Sequence, residues 1–159
     1  MTFPSLFLID TITPPKGICY FVTGVLIAGA LFPKNAVLLA IMYLGWGDPF
    51  ASAVGILTRP FAPQSFLLSN GKNLIGTMAD ILFCCLLTQI FFSFYILPYT
   101  TLTDVQLQMF IYVGGVIGGM SEVFMFGHFM QTYLNDNLTI PIISAATMTL
   151  TAFILGVQL

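Results

Sequence analysis

The stretch that decides the fold is Asn135-Asp136-Asn137-Leu138-Thr139-Ile140-Pro141, which stands directly before an apolar run that reaches Val157. An apolar run of about 20 residues is long enough to cross a bilayer as a helix. Charged and polar groups are costly in lipid, so a membrane chain keeps them mainly where they have a function. The sequence therefore predicts a membrane helix whose N-terminal residues are polar and functional.

The composition of the whole chain agrees with a membrane protein. Of its 159 residues, 58% are hydrophobic and only 6% are charged. A soluble domain carries about 25% charged residues. The four Lys and Arg residues cannot form the basic surface that nucleic-acid binding requires, so we expect no nucleic-acid partner. Lipid is the expected main solvent and the expected first partner of this chain.

Further apolar runs predict an all-α, polytopic membrane helical bundle with about five transmembrane helices. The predicted spans are residues 17–32, 36–57, 74–97, 105–129 and 138–157. Residues 1–15 are predicted to form an interfacial N-terminal stub, and residues 16–159 a single transmembrane domain. The second span is expected to be broken by Gly45, Gly47 and Pro49.

The distribution of basic residues predicts an orientation. With five spans, Lys16, Arg59 and Lys72 fall on one side of the membrane and Lys34 on the other. Loops rich in Lys and Arg stay on the side where the protein is made. That side, facing the cytoplasm, stroma or matrix, is then also the side where the third and fifth spans begin.

Helix starts on one face suggest an anion site. The N-terminus of a helix carries unpaired N–H groups and the positive end of the helix dipole. Asn70 or Asn73 can cap the third span, and Asp136 or Asn137 the fifth. Lys72 adds a point charge suited to phosphate. Pro141 is expected in the first turn of the fifth span, where its missing N–H matters little.

Acidic residues near the same face are candidates for cation binding and catalysis. Asp48, at the interruption of the second span, can hold a divalent cation, with Asp136 as a second ligand. Asp80 and Glu122 each lie about two turns inside a predicted span. Ionisable residues at such depth are functional-site hypotheses by default.

Structural explanations compete with several of these assignments. Gly-Asp-Pro alone is a common turn, and Asn-Asp-Asn alone is a good helix cap. The four glycines of the fourth span form overlapping small-xxx-small pairs and are expected to be a helix-packing face: Gly114, Gly115, Gly118 and Gly119. The three cysteines are expected to be small apolar side chains. Only the convergence of the polar clusters on one face favours a site.

Taken together, these segments resemble the CTP-dependent lipid kinases, which include dolichol kinase, phytol kinase and the yeast-type diacylglycerol kinase. The family's Gly-Asp-Pro-x-Ala-x-x-Val-Gly segment corresponds to residues 47–55, and its Lys-Ser-x-Glu-Gly-Ser segment to residues 72–77. Its Asp-Asp-Asn-Leu-Thr-x-Pro signature corresponds to residues 135–141, and Glu122 matches an acidic residue of the preceding helix. Order and approximate spacing agree over nearly the whole chain.

The resemblance implies transfer of a phosphoryl group from CTP to a membrane-dissolved lipid alcohol, assisted by Mg²⁺. It implies catalytic roles for Asp48, Asp136 and Glu122, with Asp48 and Asp136 also holding the metal. The residues implied at the nucleotide and its phosphates are Lys72, Gly47, Gly76, Asn137 and Thr139.

Two acidic positions of the family pattern are replaced. Ile75 stands where the family has Glu, and Asn135 where it has the first Asp of the signature. The family's earlier helices also have no counterpart in these residues. These departures leave a second hypothesis open, a catalytically silent relative that serves as a subunit of a larger membrane complex. A channel or transporter is a third and weaker interpretation, suggested by the interrupted second span.

Overall fold

The structure is a computed structural model that describes residues 16–61, 73–120 and 136–159. These residues form helices that we number α1 (Lys16–Leu31), α2 (Lys34–Met42), α3 (Asp48–Thr58), α4 (Leu74–Phe91), α5 (Asp104–Met120) and α6 (Asp136–Leu155). A π-helical turn, Tyr43–Gly47, joins α2 to α3, and a second, Phe92–Ile96, extends α4. The predicted all-α bundle is confirmed. The predicted N-terminal stub lies outside the described residues.

Helix lengths agree with an integral membrane protein. Three helices of the described chain are long and apolar enough to span a bilayer: Lys34–Thr58, Leu74–Ile96 and Asn137–Leu155. They coincide with the predicted second, third and fifth spans. The helix of the first predicted span, Gly17–Leu31, is shorter. The fourth predicted span is helical from Asp104 to Met120, and the rest of it lies outside the described residues.

The second span is irregular but not broken, which corrects the expectation from the sequence. One continuous helix runs from Lys34 to Thr58 through the π-helical turn. Pro49 has no N–H to donate to a preceding carbonyl. The wider turn lets the neighbouring Asp48 N–H bond the Tyr43 carbonyl oxygen instead, so the helix continues. Glycine and proline here produce a local widening and not a chain reversal.

The position of Pro141 also differs from the expectation. Helix α6 begins at Asp136, so Pro141 lies inside the helix, in its second turn and not its first. The polar residues that open the fifth span are already helical, which moves every later position deeper into the helix. Pro141 therefore removes the N–H that would bond the carbonyl oxygen of Asn137.

The glycines of α5 form a packing face against α4, as predicted. A Cβ atom built on Gly119 would lie 2.5 Å from the Ile81 nitrogen, and one built on Gly115 would lie 3.0 Å from the Ile81 carbonyl oxygen. A Cβ atom built on Gly118 would lie 2.9 Å from the Cys84 Sγ. Small residues let membrane helices approach closely, because little hydrophobic force is available to hold them together in lipid.

Pairs of helix ends define the direction of the bundle. The end of α3 meets the start of α4 where Asn73 hydrogen-bonds Thr58, and the start of α6 meets the start of α1 where Asn137 faces Gly17. At the opposite end, the Gln106 side chain of α5 donates to the Leu155 carbonyl oxygen of α6 at 3.1 Å. The end formed by residues 16–17, 58–59, 73 and 136–137 is hereafter the polar end.

Candidate functional site

The π-helical turn Tyr43–Gly47 lies at the centre of the bundle. It contacts α4, α5 and α6 as well as the helices that it joins. The Tyr43 side chain is buried and its hydroxyl lies 2.6 Å from the Thr88 hydroxyl of α4. Single π-helical turns inside α-helices often occur at functional sites. This one directly precedes Asp48 and determines where α3 starts.

Asp48 is the first residue of α3 and is half-buried. A carboxylate in the first turn of a helix is favoured by the helix dipole. Gly47, immediately before it, is buried against α4. The predicted pair Gly47 and Asp48 therefore sits where the second span meets the third, on the half of the span nearer to the polar end.

Asp80 is a buried carboxyl group beside this pair. It is 2% exposed, and a Cβ atom on Gly47 would lie 2.8 Å from its Oδ1. The Cys84 thiol donates to the same oxygen at 3.4 Å. In the sequence, Asp80 is an ionisable residue inside a predicted span and a functional-site hypothesis without a specific role. Its depth in an apolar run was the available signal, while its contact with Gly47 was not visible in the sequence.

Asn73 caps α4, as one of the two expected alternatives. Its side-chain oxygen accepts a hydrogen bond from the Ile75 N–H at 3.0 Å. Its amide nitrogen donates to the Gly55 carbonyl oxygen at 3.3 Å and to the Thr58 hydroxyl at 2.9 Å. One side chain therefore caps α4 and ties its start to the end of α3. Lys72, the residue before it, lies outside the described residues.

Gly76 lies at a close approach of α3 and α4. A Cβ atom there would be 2.9 Å from the Ala51 carbonyl oxygen and 3.2 Å from the Gly55 Cα. The structure gives Gly76 a packing role between two helix backbones. The phosphate contact implied by the resemblance stays a prediction.

The start of α6 brings further predicted residues to the polar end. Asn137 is half-buried, and its amide nitrogen lies 3.3 Å from the position of a Cβ on Gly17. Thr139 is buried at 8% exposure. Asp136 is the first residue of α6, and the structure describes its backbone alone. Glu122 lies outside the described residues, so its catalytic role stays a prediction.

The described residues offer a small set of acidic ligands and not a complete metal cage. No group of three or more His, Cys, Asp or Glu residues that could hold a metal ion occurs within the described ranges. Mg²⁺ usually binds one or two carboxylates together with substrate phosphates and water. Asp48 supplies one such carboxylate and fits a cation that is shared with a phosphate ligand.

Comparison with known proteins gives three curated relatives, each named CTP-dependent diacylglycerol kinase 1. The protein of Eremothecium gossypii is 27% identical over an alignment of 155 residues. The match covers 87% of this chain and 45% of the relative. That of Saccharomyces cerevisiae is 22% identical, covering 84% of this chain and 47% of the relative. That of Schizosaccharomyces pombe is 25% identical, covering 84% of this chain and 59% of the relative.

The chain thus spans about half the length of the curated relatives that it matches. No family model and no solved structure matches it. All three relatives belong to one of the groups that the motifs of residues 47–55, 72–77 and 135–141 resemble. The resemblance of this membrane protein to the CTP-dependent lipid kinases, predicted from its sequence, is therefore confirmed.

Proposed function

We propose that this protein is a membrane-embedded lipid kinase that transfers a phosphoryl group from CTP to a lipid alcohol of the diacylglycerol type. The observation that carries the proposal is the match of most of this chain to three relatives whose shared name states both donor and acceptor. The three matches cover 84–87% of this chain.

The chemistry of phosphoryl transfer suits a site with few charged groups. Such a reaction requires mainly positioning of the phosphates and neutralisation of their charge. In the proposed site, Asp48 and Asp136 hold Mg²⁺, which neutralises charge on the phosphates when bound. Lys72 and the N-termini of α4 and α6 bind phosphate oxygens at the polar end. Gly47, Gly76, Asn137 and Thr139 complete the nucleotide site, and Glu122 orients the alcohol.

The position of the site in the bundle suits a substrate dissolved in lipid. Asp48 lies inside a membrane-spanning helix but nearer to its polar end. Phe50, two residues after Asp48 in α3, is 40% exposed and stacks on Phe83 with ring centroids 4.3 Å apart. A lipid alcohol can approach such a surface from the membrane while CTP approaches from water. The polar end then faces the cytoplasm, stroma or matrix.

The test is a kinase assay on the whole chain in lipid nanodiscs. CTP labelled on its γ-phosphate, MgCl₂ and a panel of diacylglycerol, phytol and dolichol are supplied, and labelled lipid is measured. We expect labelled phosphatidate, and a loss of about 100-fold or more for Asp48→Asn, equivalent to about 2.7 kcal/mol of barrier. Asp104→Asn is the matched control, because Asp104 also opens a helix but is exposed at the opposite end.

Two results would contradict the proposal. A folded protein that neither binds CTP nor labels any lipid is not such a kinase. CTP binding without turnover would instead favour a silent relative, in which Ile75 and Asn135 have replaced acidic groups, and such a subunit should copurify with fixed membrane partners. Equal activity of wild type and Asp48→Asn would remove Asp48 from the site.

A further inference from the structure

Asp80 occupies a costly position. It lies inside the membrane-spanning helix Leu74–Ile96 and is 2% exposed. Burial of a carboxyl group in an apolar environment costs several kcal/mol unless hydrogen bonds or charges compensate it. Position 80 is six residues past the start of α4, or about 9 Å deeper at the helical rise of about 1.5 Å per residue. A carboxyl group at this depth needs an explanation.

The contacts of Asp80 connect it to the residue before Asp48. A Cβ atom added to Gly47 would lie 2.8 Å from the Asp80 Oδ1 and 3.0 Å from the Cys84 Sγ. The Cys84 thiol also donates to Oδ1, so the two side chains form one unit against the end of the π-helical turn. Only glycine leaves room for this unit at position 47.

The orientation of Asp48 depends on the same turn. The Asp48 N–H bonds the Tyr43 carbonyl oxygen, a π-type bond that sets the rotation of α3 about its axis. A side chain that packs against the turn at Gly47, as Asp80 does, therefore influences the direction of the Asp48 side chain. Some residues do not bind the metal themselves but orient the side chains that do. Replacing such a residue commonly lowers metal affinity or activity by about 10- to 100-fold.

We propose that Asp80, oriented by Cys84, is a positioning residue for Asp48: its carboxyl group supports the π-helical turn at Gly47 and so directs the Asp48 carboxylate toward the nucleotide site. The inference rests on the proposed function, since it assigns Asp48 to that site. Asp80 itself does not contact the nucleotide or the lipid alcohol.

The experiment compares CTP affinity with folding stability in four variants of the whole chain. Affinity for labelled CTP in the presence of MgCl₂ is measured by equilibrium dialysis, and stability by thermal unfolding. Asp80→Leu removes the carboxyl group while keeping the same number of side-chain heavy atoms, and it should weaken CTP binding by about 10- to 100-fold. This loss of affinity should exceed what any fall in the unfolding midpoint accounts for, because the carboxyl group acts on the orientation of Asp48 and not only on folding.

The conservative variants separate positioning from other roles. Asp80→Asn can still accept from Cys84 and fill the space beside Gly47, so its CTP affinity should remain close to that of the wild type. If Asp80→Asn loses as much affinity as Asp80→Leu, Asp80 acts by its charge and not by positioning. Cys84→Ala should weaken binding, whereas Cys85→Ala, whose thiol faces Gly115 of α5, should not. Parallel loss of stability and affinity in Asp80→Leu would mean a purely structural role and overturn the proposal.

Failure of the inference can be distinguished from failure of the proposed function. If Asp48→Asn abolishes CTP binding and Asp80→Leu leaves it intact, only the inference is wrong. If the wild type binds no CTP, the orientation of the side chain at position 48 is measured directly. The measurement is the rate at which a water-soluble maleimide labels the Asp48→Cys variant, made in a Cys19→Ser background. The proposal expects Asp80→Leu to change that rate and Asp80→Asn to preserve it. An unchanged rate in Asp80→Leu overturns it.

Discussion

The hydroxyl groups of Tyr43 and Thr88 lie 2.6 Å apart and join the central π-helical turn to α4. The Thr88 hydroxyl donates its hydrogen to the Cys84 carbonyl oxygen, at 2.7 Å. A hydroxyl group has one hydrogen to donate, so the Tyr43 phenol is the donor to Thr88. Both side chains are buried, at 2% and 0% exposure. The hydrogen bond therefore has a fixed direction.

That direction predicts unequal effects of two substitutions. Thr88→Val leaves the buried Tyr43 hydroxyl without its acceptor, which should cost about 1–3 kcal/mol of unfolding free energy. Tyr43→Phe removes the donor while Thr88 keeps its bond to the Cys84 carbonyl, so the cost should be nearer about 0.5–1.5 kcal/mol. Thermal or denaturant unfolding in detergent measures both. Equal costs, or a greater cost for Tyr43→Phe, would contradict the assigned direction.

Gly47→Ala should damage both stability and the site. Its Cβ would lie 2.8 Å from Asp80 Oδ1 and 3.0 Å from Cys84 Sγ, so the buried pair must shift. Overpacking of this kind costs about 1–3 kcal/mol. Unfolding and CTP binding are the measurements. Gly45→Ala, two positions earlier in the same turn, is the control, because nothing lies within 4 Å of its Cβ position. A loss as large in Gly45→Ala would point to a general requirement for glycine in the turn.

Gly119→Ala should separate α5 from α4. The added Cβ would lie 2.5 Å from the Ile81 nitrogen, a backbone atom that cannot move by a change of rotamer. We expect a loss of about 1–3 kcal/mol in unfolding free energy. Gly29→Ala, in α1, meets nothing within 4 Å and should be neutral or slightly stabilising. A neutral Gly119→Ala would mean that α5 does not pack on α4 through its glycines.

Asn73→Ala should loosen the junction between α3 and α4 at the polar end. It removes the cap of α4, worth about 0.5–2 kcal/mol, and the two hydrogen bonds to α3 as well. Asn73→Ser keeps a capping oxygen for the Ile75 N–H and should lose less. Hydrogen exchange of the first turn of α4, together with unfolding, measures the effect. If serine and alanine lose equally, the links to α3 and not the cap stabilise the junction.

Local patterns in the sequence predicted much of this structure. The sequence offers Asn70 and Asn73 as caps of α4, because an N-cap acts on the backbone of the next residues in the chain, and the structure selects Asn73. The glycine face of α5 followed from spacing, because residues four apart share one side of a helix. The polar residues before the apolar run predict a cap, which puts Pro141 in the first turn. Because these residues are already helical, Pro141 lies one turn further into the helix.

The site itself was predictable only in part. Asp48 and Gly47 stood out because a charged, glycine-rich segment is expensive inside an apolar run. The contact between Gly47 and Asp80 was not predictable, since it depends on how α3 and α4 slide and rotate against each other. The same holds for the link between Tyr43 and Thr88, which are 45 residues apart in the chain.

By itself, the sequence determined that the chain is a helical membrane bundle, because the cost of charge in lipid and the length of a span act on each segment separately. Only the tertiary structure decided that the second span widens into a π-helical turn instead of breaking, and that the buried carboxyl of Asp80 lies against Gly47. Those features come from contacts between helices that are distant in the chain, and no periodicity within one segment encodes the register of such contacts.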